Sequence, residues 1–331
     1  MSSITAPAHS VVIPLYNEED NVRELVDRLV PVLDKTEEPF EIVFVDDGSR
    51  DQTAAMVRAA HASDPRVKLV RFSRNYGQEA AVQAGILHAT GRWIVQMDGD
   101  LQNPPEELHK LLAKRDEGFE IVYGVRTKRR DPLHRVLASR MMVWFMRSVL
   151  DVELPEDVTT FRVIDGKTAR LIAGLPEKKK FFSALAVWTG ARATSVSVEH
   201  AARSRGVTKY NLGKLVNHTF DLMVGFSTKP LRIIGVGGAF IAFVGLGFGL
   251  FRIVQKLLGA DITMGYTSLF SAIVILGGLQ LIALSVIGEY IARIFIQTQD
   301  RPLYNVAETI GFGDELRNGY YEQASAHQEA P

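Results

Sequence analysis

Short apolar runs alternate with helically spaced segments through the first part of the chain. Residues 10–14 form one such run. Residues 21–33 then place Val22, Leu25, Val26, Leu29, Val30 and Leu33 at three- and four-residue intervals, which predicts a helix with one buried stripe. Residues 41–45 are β-rich. Ser49 with Gln52 three positions later predicts a capping box opening a helix through Val57 and Ala60, and residues 67–72 predict a third strand. A helix over 77–90, a strand over 93–97, a helix over 105–117 and a strand over 120–125 continue the alternation. Strand-helix repetition of this kind predicts a parallel, doubly wound α/β sheet with ligands at the strand C-termini.

Beyond residue 125 the pattern changes. Arg126, Lys128, Arg129, Arg130, Arg135, Arg140 and Arg147 are opposed only by Asp131 and interleave with Leu133, Val136, Leu137, Met141, Val143, Trp144, Phe145 and Met146. This reads as a basic amphipathic helix at an anionic lipid surface, or as a core helix with a solvated basic face. Residues 233–251 and 269–287 then give two uncharged apolar stretches, each of about 19 residues, the length that crosses about 30 Å of hydrocarbon. The connector over 252–268 is short, so the two predict a transmembrane hairpin with both flanks on one side. Lys209, Lys214, Lys229 and Arg232 before it, with Arg293 and Arg301 after it, favour the cytoplasm for that side; Arg252 and Lys256 on the connector argue the other way. Residues 311–331 are polar and read as a frayed tail.

Composition narrows the classes. Lys plus Arg equals Asp plus Glu at 38 each, which gives no reason to expect nucleic acid as a partner. The chain has no cysteine, so disulfides, thiolate metal sites and cysteine nucleophiles are excluded. Residues 1–10 lack the basic and apolar regions of a secretory signal, which points to a soluble part that stays in the cytosol.

The chemistry concentrates at strand ends. Asp98-Gly99-Asp100 directly follows the apolar run 93–97, and two carboxylates at i and i+2 there suit a hard divalent cation that neutralises a diphosphate. Asp46-Asp47-Gly48-Ser49 ends the second strand; Asp47 is placed to accept from a base N–H, or both aspartates simply form the turn. Tyr16 and Glu18, after Pro14 at the first strand end, offer an aromatic face and a carboxylate near a ribose. The first turn has no G-x-G-x-x-G and the chain has no phosphate-binding P-loop, which argues against a dinucleotide-dependent oxidoreductase and a P-loop nucleotidase.

Taken in series, Pro14-Leu15-Tyr16-Asn17-Glu18, Val45-Asp46-Asp47-Gly48-Ser49, Arg74-Asn75-Tyr76-Gly77-Gln78, the run from Asp98 to Glu106 and Gly288-Glu289-Tyr290-Ile291-Ala292-Arg293 resemble the inverting family 2 glycosyltransferases of GT-A fold. Within that family the chain is similar to the polyprenyl-phosphate glycosyltransferases, over about residues 10–305. The resemblance implies a GT-A doubly wound sheet with amphipathic interface helices and a two-helix transmembrane hairpin. It divides the chain into a nucleotide-sugar-binding core (1–128), an acceptor region with interface helices (129–228), the two transmembrane helices (229–296) and a cytoplasmic tail (297–331).

It further implies that Pro14, Tyr16, Glu18, Asp47 and Asp98 form the nucleotide pocket and that Asp98, Asp100 and Gln102 hold Mg2+ or Mn2+. Arg126, Arg203, Thr208 and Lys209 would meet the acceptor phosphate, Thr208 standing where the family has serine. Asp100, Arg126, Asp157 and Arg203 would be the catalytic group. Glu156-Asp157 resembles the acidic pair that other members use as a base toward hydroxyl acceptors. A phosphate acceptor is already ionised at pH 7, so Asp157 reads as an orienting residue near Arg162, with a base role left open. The expected reaction moves a hexose from a nucleotide diphosphate sugar, UDP-glucose or a relative, to a polyprenyl phosphate at the cytoplasmic face of the inner membrane, for cell-envelope glycans. The expected state is a multi-pass homo-oligomer, a tetramer by resemblance. A GDP-mannose donor and, in another class, an inactive membrane adaptor are the alternatives. The family's polymer-forming Q-x-x-R-W is absent.

Overall fold

The computed structural model describes residues 7–126, 158–178, 182–199, 229–258, 265–299 and 301–313. Strands β1 (His9–Leu15), β2 (Phe40–Asp46), β3 (Val67–Phe72) and β4 (Trp93–Gln96) are joined by helices α1 (Glu19–Asp34), α2 (Thr53–Ser63) and α3 (Gln78–His88). A 3-10 turn at Pro105–Glu107, α4 (Leu108–Asp116) and β5 (Ile121–Arg126) follow, so every element expected over residues 10–125 is present. β1 and β2 are buried along their whole length, because α1 and α2 cover one face and α3 the other. The α1 stripe Val22, Leu25, Leu29 and Leu33 packs into the same core as Val11, Ile13, Ile42 and Phe44.

One local expectation fails. No capping box forms at Ser49 and Gln52: α2 begins at Thr53, whose backbone N–H donates to Asp51 Oδ1 at 3.0 Å, and the Gln52 side chain caps nothing. The Ser49 hydroxyl accepts instead from the Asn17 amide at 2.9 Å, since the chain beyond β1 passes close to it.

Elements absent from the periodicity reading are β6 (Val158–Asp165), α5 (Gly166–Gly174), α6 (Phe182–Trp188), β7 (Ala193–Val198) and β8 (Val306–Ile310), the last within the segment expected as a tail. The sheet order is β7-β5-β6-β4-β1-β2-β3-β8. The expected strands β1 to β5 all run in one direction, and the two further strands make the sheet mixed: β6 runs against β4 and β5, and β8 runs against β3. Antiparallel neighbours put opposite strand ends at the same edge of the sheet. The C-terminal ends of β1 to β5 and β7 therefore share one edge with the N-terminal ends of β6 and β8. Pro14 is tolerated in the central β1 because pairing with β4 stops at Val12, leaving no ladder bond for its missing N–H on that side.

The described residues divide into two compact units, one containing the sheet with residues 301–313 and the other containing α7 (Lys229–Leu257) and α8 (Tyr266–Thr298). Leu231–Phe251 and Ile275–Thr298 are long and apolar enough to span a membrane, and neither is buried inside the protein. The expected span 269–287 lies within α8, but the apolar window reaches further toward the C-terminus. At 1.5 Å per residue α8 is about 50 Å long, more than a hydrocarbon core needs. Its helix continues through Glu289 and Arg293, which pair at 3.1 Å across one turn. The predicted amphipathic helix after residue 126 lies outside the described residues.

Candidate functional site

Four loops meet at the shared sheet edge, and each is tied to the next by hydrogen bonds: side chain to backbone across the first three, and side chain to side chain between Gln78 and Asp98. After β1, Asn17 adopts φ 54°, a left-handed conformation asparagine tolerates, and its Oδ1 accepts from the Arg50 amide at 3.0 Å. The Glu18 amide donates to Thr53 Oγ1 at 2.9 Å, and Glu18 accepts from the Asn21 side-chain amide. Tyr16 is left 42% exposed, offering a ring face at the rim.

After β2, Asp46 Oδ1 accepts from the Ser49 amide at 3.0 Å, and the fully buried Asp46 pairs with Arg71 at 3.2 Å. Asp47 reaches the other way. Its two oxygens accept the amides of Tyr76 and Gly77 at 2.6 and 2.9 Å, which pins the loop after β3 against the turn after β2. Burial pushes the Asp47 carboxyl above the ordinary range, against the opposing effect of those two amides. Gly48, at φ 67°, makes this approach feasible: a Cβ there would lie 2.3 Å from the Arg74 carbonyl carbon.

Asp98 and Asp100 occupy the centre. Gly99 lets the turn fold under Leu15, whose Cδ2 would be 2.4 Å from any Cβ at that position. Asp98 Oδ1 accepts from Gln78 Nε2 at 2.7 Å, and its Oδ2 accepts from the Thr160 hydroxyl. Desolvation raises the Asp98 carboxyl above the ordinary range; the Thr160 hydrogen bond lowers it, the neighbouring Asp100 raises it further, and Arg162 lowers it. Asp100 Oδ1 accepts the Gln102 amide at 3.1 Å, with Leu101 between them at φ 58°. Beneath this turn Arg162 is buried. It donates twice to Gln96 Oε1, at 2.9 and 2.6 Å, and stacks over the Phe182 ring at 4.1 Å.

The residues present fit a hard divalent cation. Asp98, Asp100 and Gln102 offer only oxygen donors, and two carboxylates share a half-buried site that favours neutralising charge. No group of three or more acidic, histidine or cysteine side chains suited to a metal exists among the described residues. A two-carboxylate site leaves coordination positions for substrate phosphate oxygens and water, the usual manner of holding Mg2+.

Of the residues expected at the site, Pro14, Tyr16, Glu18, Asp47, Asp98, Asp100 and Gln102 come together at this edge. Arg126 ends β5 on the same edge and is exposed. Asp157, Arg203, Thr208 and Lys209 lie outside the described residues. Thr160 and Gln78 had no expected role, yet both grip Asp98. The available signal for Thr160 was a polar stretch, Thr159-Thr160-Phe161-Arg162, opening an otherwise apolar run.

Two family models match the chain: Glycosyl transferase family 2 over residues 10–168 and the GtrB C-terminal hairpin over residues 229–294. A glycosyltransferase of Synechocystis sp. is 38% identical, covering 91% of this chain and 95% of its own. The undecaprenyl-phosphate 4-deoxy-4-formamido-L-arabinose transferase of Shewanella sediminis is 36% identical over 91% of this chain and 92% of its own. Among solved structures, glucosyl-3-phosphoglycerate synthase from Mycobacterium tuberculosis, crystallised with Mn2+, UDP-glucose and phosphoglyceric acid, is 18% identical, covers 66% of this chain and 78% of that chain, and has a TM-score of 0.49.

Proposed function

The chain belongs to glycosyl transferase family 2 and is a glycosyltransferase, and on that premise we propose that it transfers a hexose from a UDP-sugar to a polyprenyl phosphate, with inversion. The observation that carries this reading is the braced acidic turn Asp98–Asp100 at the sheet edge, in a chain that also carries a GtrB-type hairpin. The undecaprenyl-phosphate transferase named above, similar along nearly its whole length, supports the lipid acceptor.

In this mechanism an acceptor phosphate oxygen attacks the anomeric carbon, and the bond from that carbon to the nucleotide diphosphate breaks. The acceptor is an anion near neutral pH, so no side chain need remove a proton. The protein's contribution is placement and charge. Tyr16, Glu18 and Asp47 line the nucleotide pocket with Pro14 at its base, while Asp98, Asp100 and Gln102 would hold Mg2+ or Mn2+. That ion, when bound, neutralises charge developing on the leaving diphosphate. Arg126, with Arg203, Thr208 and Lys209, meets the acceptor phosphate, arginine being suited to paired N–H contacts with phosphate oxygens.

The apolar α7 and α8 associate the chain with a membrane. We place the catalytic unit on the cytoplasmic face of the plasma membrane, supported by Lys229, Arg232, Arg293 and Arg301 flanking the hairpin, and we propose a homo-oligomer by family resemblance.

The direct test is incubation of the purified protein with a panel of nucleotide sugars and short polyprenyl phosphates. Transfer from a UDP-sugar to the lipid is expected. Turnover with GDP-mannose alone would move the donor assignment, and no turnover with any pair would overturn the enzyme's proposed reaction. Arg126→Ala is expected to raise the acceptor KM by about tenfold or more, the cost of one charged hydrogen-bonding group, while leaving UDP affinity within a factor of two. Loss of UDP affinity with an unchanged acceptor KM would assign Arg126 to the donor. Asp157→Asn is expected to slow turnover and keep the shape of the pH–rate profile; disappearance of a basic limb would make Asp157 the general base.

A further inference from the structure

Residues 301–313, which follow α8 in sequence, belong to the unit that contains the sheet, and they contact β3 and the start of the loop after it. β8 pairs with β3 up to Phe72, with a register shift between Arg71 and Phe72. Glu308 clamps β8 to α2 through Arg58, with contacts of 3.1 and 2.5 Å. Just before β8, the Asn305 carbonyl accepts the Ser73 amide at 3.0 Å. The buried Tyr304 ring lies flat on Phe72, centroids 4.7 Å apart and planes 15° from parallel. Phe72 also meets Tyr76 edge-on at 5.7 Å. Lys178 also donates to the Arg301 carbonyl at 2.6 Å, holding the start of the segment.

Residues 73–78 have two attachments on the site side. The Tyr76 and Gly77 amides are held by Asp47, and Gln78 holds Asp98. These bonds come from a loop whose own N-terminal end rests on Tyr304 and Asn305. We infer that Tyr304 is a positioning residue for the donor site: by fixing Phe72, beside the Ser73 amide that the Asn305 carbonyl holds, it sets the height of the 73–78 loop, and so the orientation of Asp47 and Asp98. The segment following the membrane hairpin is thereby part of the donor site's support. This assignment rests on the donor-site reading above. It goes further in making nucleotide-sugar binding depend on residues some 200 positions away in sequence.

Stacked aromatic pairs and backbone hydrogen bonds of this kind hold a loop in one geometry, and a displacement of about 1 Å at a catalytic group costs up to about 10²-fold. The test uses the full-length protein with Tyr304→Leu, which keeps apolar bulk and loses the flat ring, and Tyr304→Phe, which keeps the ring. In the ligand-free protein, Tyr304→Leu is expected to speed hydrogen exchange across residues 73–78 by about tenfold while strands β1 and β2 stay protected. It is expected to raise the donor KM about tenfold and leave the acceptor KM within twofold, and Tyr304→Phe should restore both readings. Glu308→Gln loosens β8 away from the stack and serves as the control; it is expected to lower the melting temperature with less than a twofold change in donor KM.

The assignment falls if Tyr304→Leu lowers only the melting temperature with exchange over 73–78 unmoved, or if Glu308→Gln reproduces the donor defect. Should Tyr304→Leu not fold, Tyr304→His, which retains a smaller planar ring, is judged by the same two readings. A wild-type protein that binds no nucleoside diphosphate would refute the donor-site reading alone, because the exchange comparison reads the support without substrate.

Discussion

Asp100→Asn is expected to reduce sugar transfer by about 10³-fold, the effect of removing a group that opposes charge developing on a leaving diphosphate. Asp100 shares a half-buried site with Asp98 and is presented by a turn whose geometry depends on Leu101 at φ 58° and on the Gln102 amide. The asparagine keeps size and one acceptor but removes charge, so the fold should persist while the metal requirement changes. Activity of the parent is expected to vanish with excess chelator and to return with Mg2+ or Mn2+. Full turnover in chelator, or an Asn variant within tenfold of the parent, would exclude a metal at this pair.

Asp98 gives a second, independent reading in the metal-free protein. Burial raises its folded-state proton affinity above that of the unfolded chain. A group shifted in this direction contributes stability at low pH that is lost as pH rises through its raised folded value, so at neutral pH the ionised carboxylate is a net cost. Metal-free Asp98→Asn is therefore expected to melt higher than the parent at pH 8 and to show a smaller difference at pH 4, while losing transfer. A melting difference independent of pH would show that the substitution acts through packing.

Gly48→Ala should damage both stability and donor binding. Its backbone sits at φ 67°, where a Cβ costs about 1–2 kcal/mol. The added carbon would also stand 2.3 Å from the Arg74 carbonyl carbon and 2.6 Å from its Cα, so backbone has to move, at a cost of about 1–3 kcal/mol. Together these predict a melting temperature lower by roughly 5–15 °C for a unit of this size. The displaced backbone belongs to the loop that Asp47 pins and that presents Gln78 to Asp98, so UDP affinity is expected to fall by about 10²-fold even where the variant is folded. Gly174→Ala, whose Cβ would meet nothing within 4 Å, is the control, with an expected change within about 0.5 kcal/mol. Equal melting temperatures for the two variants would contradict the close approach of residue 74 to the Gly48 turn.

Periodicity alone made the first half of the catalytic unit legible. Strands β1 to β5 and helices α1 to α4 carry complete apolar faces, and burial on both sides of β1 and β2 leaves a continuous apolar run that cannot be read as solvent-facing. The long uncharged stretches in α7 and α8 are equally plain, since each is long and apolar enough to span a membrane. Asp98, Asp100 and Asp47 could be nominated because each follows an apolar strand at the strand C-termini, where an α/β sheet binds its ligands.

The remainder depends on what lies beside what. Ser49 and Gln52 satisfy the local rule for a capping box, yet the Ser49 hydroxyl is taken by the Asn17 amide, a partner 32 residues away. β6 and β8 run against their neighbours, so the strand-helix rhythm that identifies parallel strands is silent about them. Thr160 and Gln78 grip Asp98 from elements 82 positions apart, and Tyr304 reaches Phe72 from beyond both membrane-length helices. The sequence by itself determined which segments must be buried and which strand ends carry charge, because hydrophobic pattern and local backbone preference act over a few residues. Only the tertiary structure decided which of those ends meet, because the groups that orient Asp47 and Asp98, backbone amides after β3 and side chains on α3 and β6, come from segments brought together by sheet order, and no periodicity encodes that order.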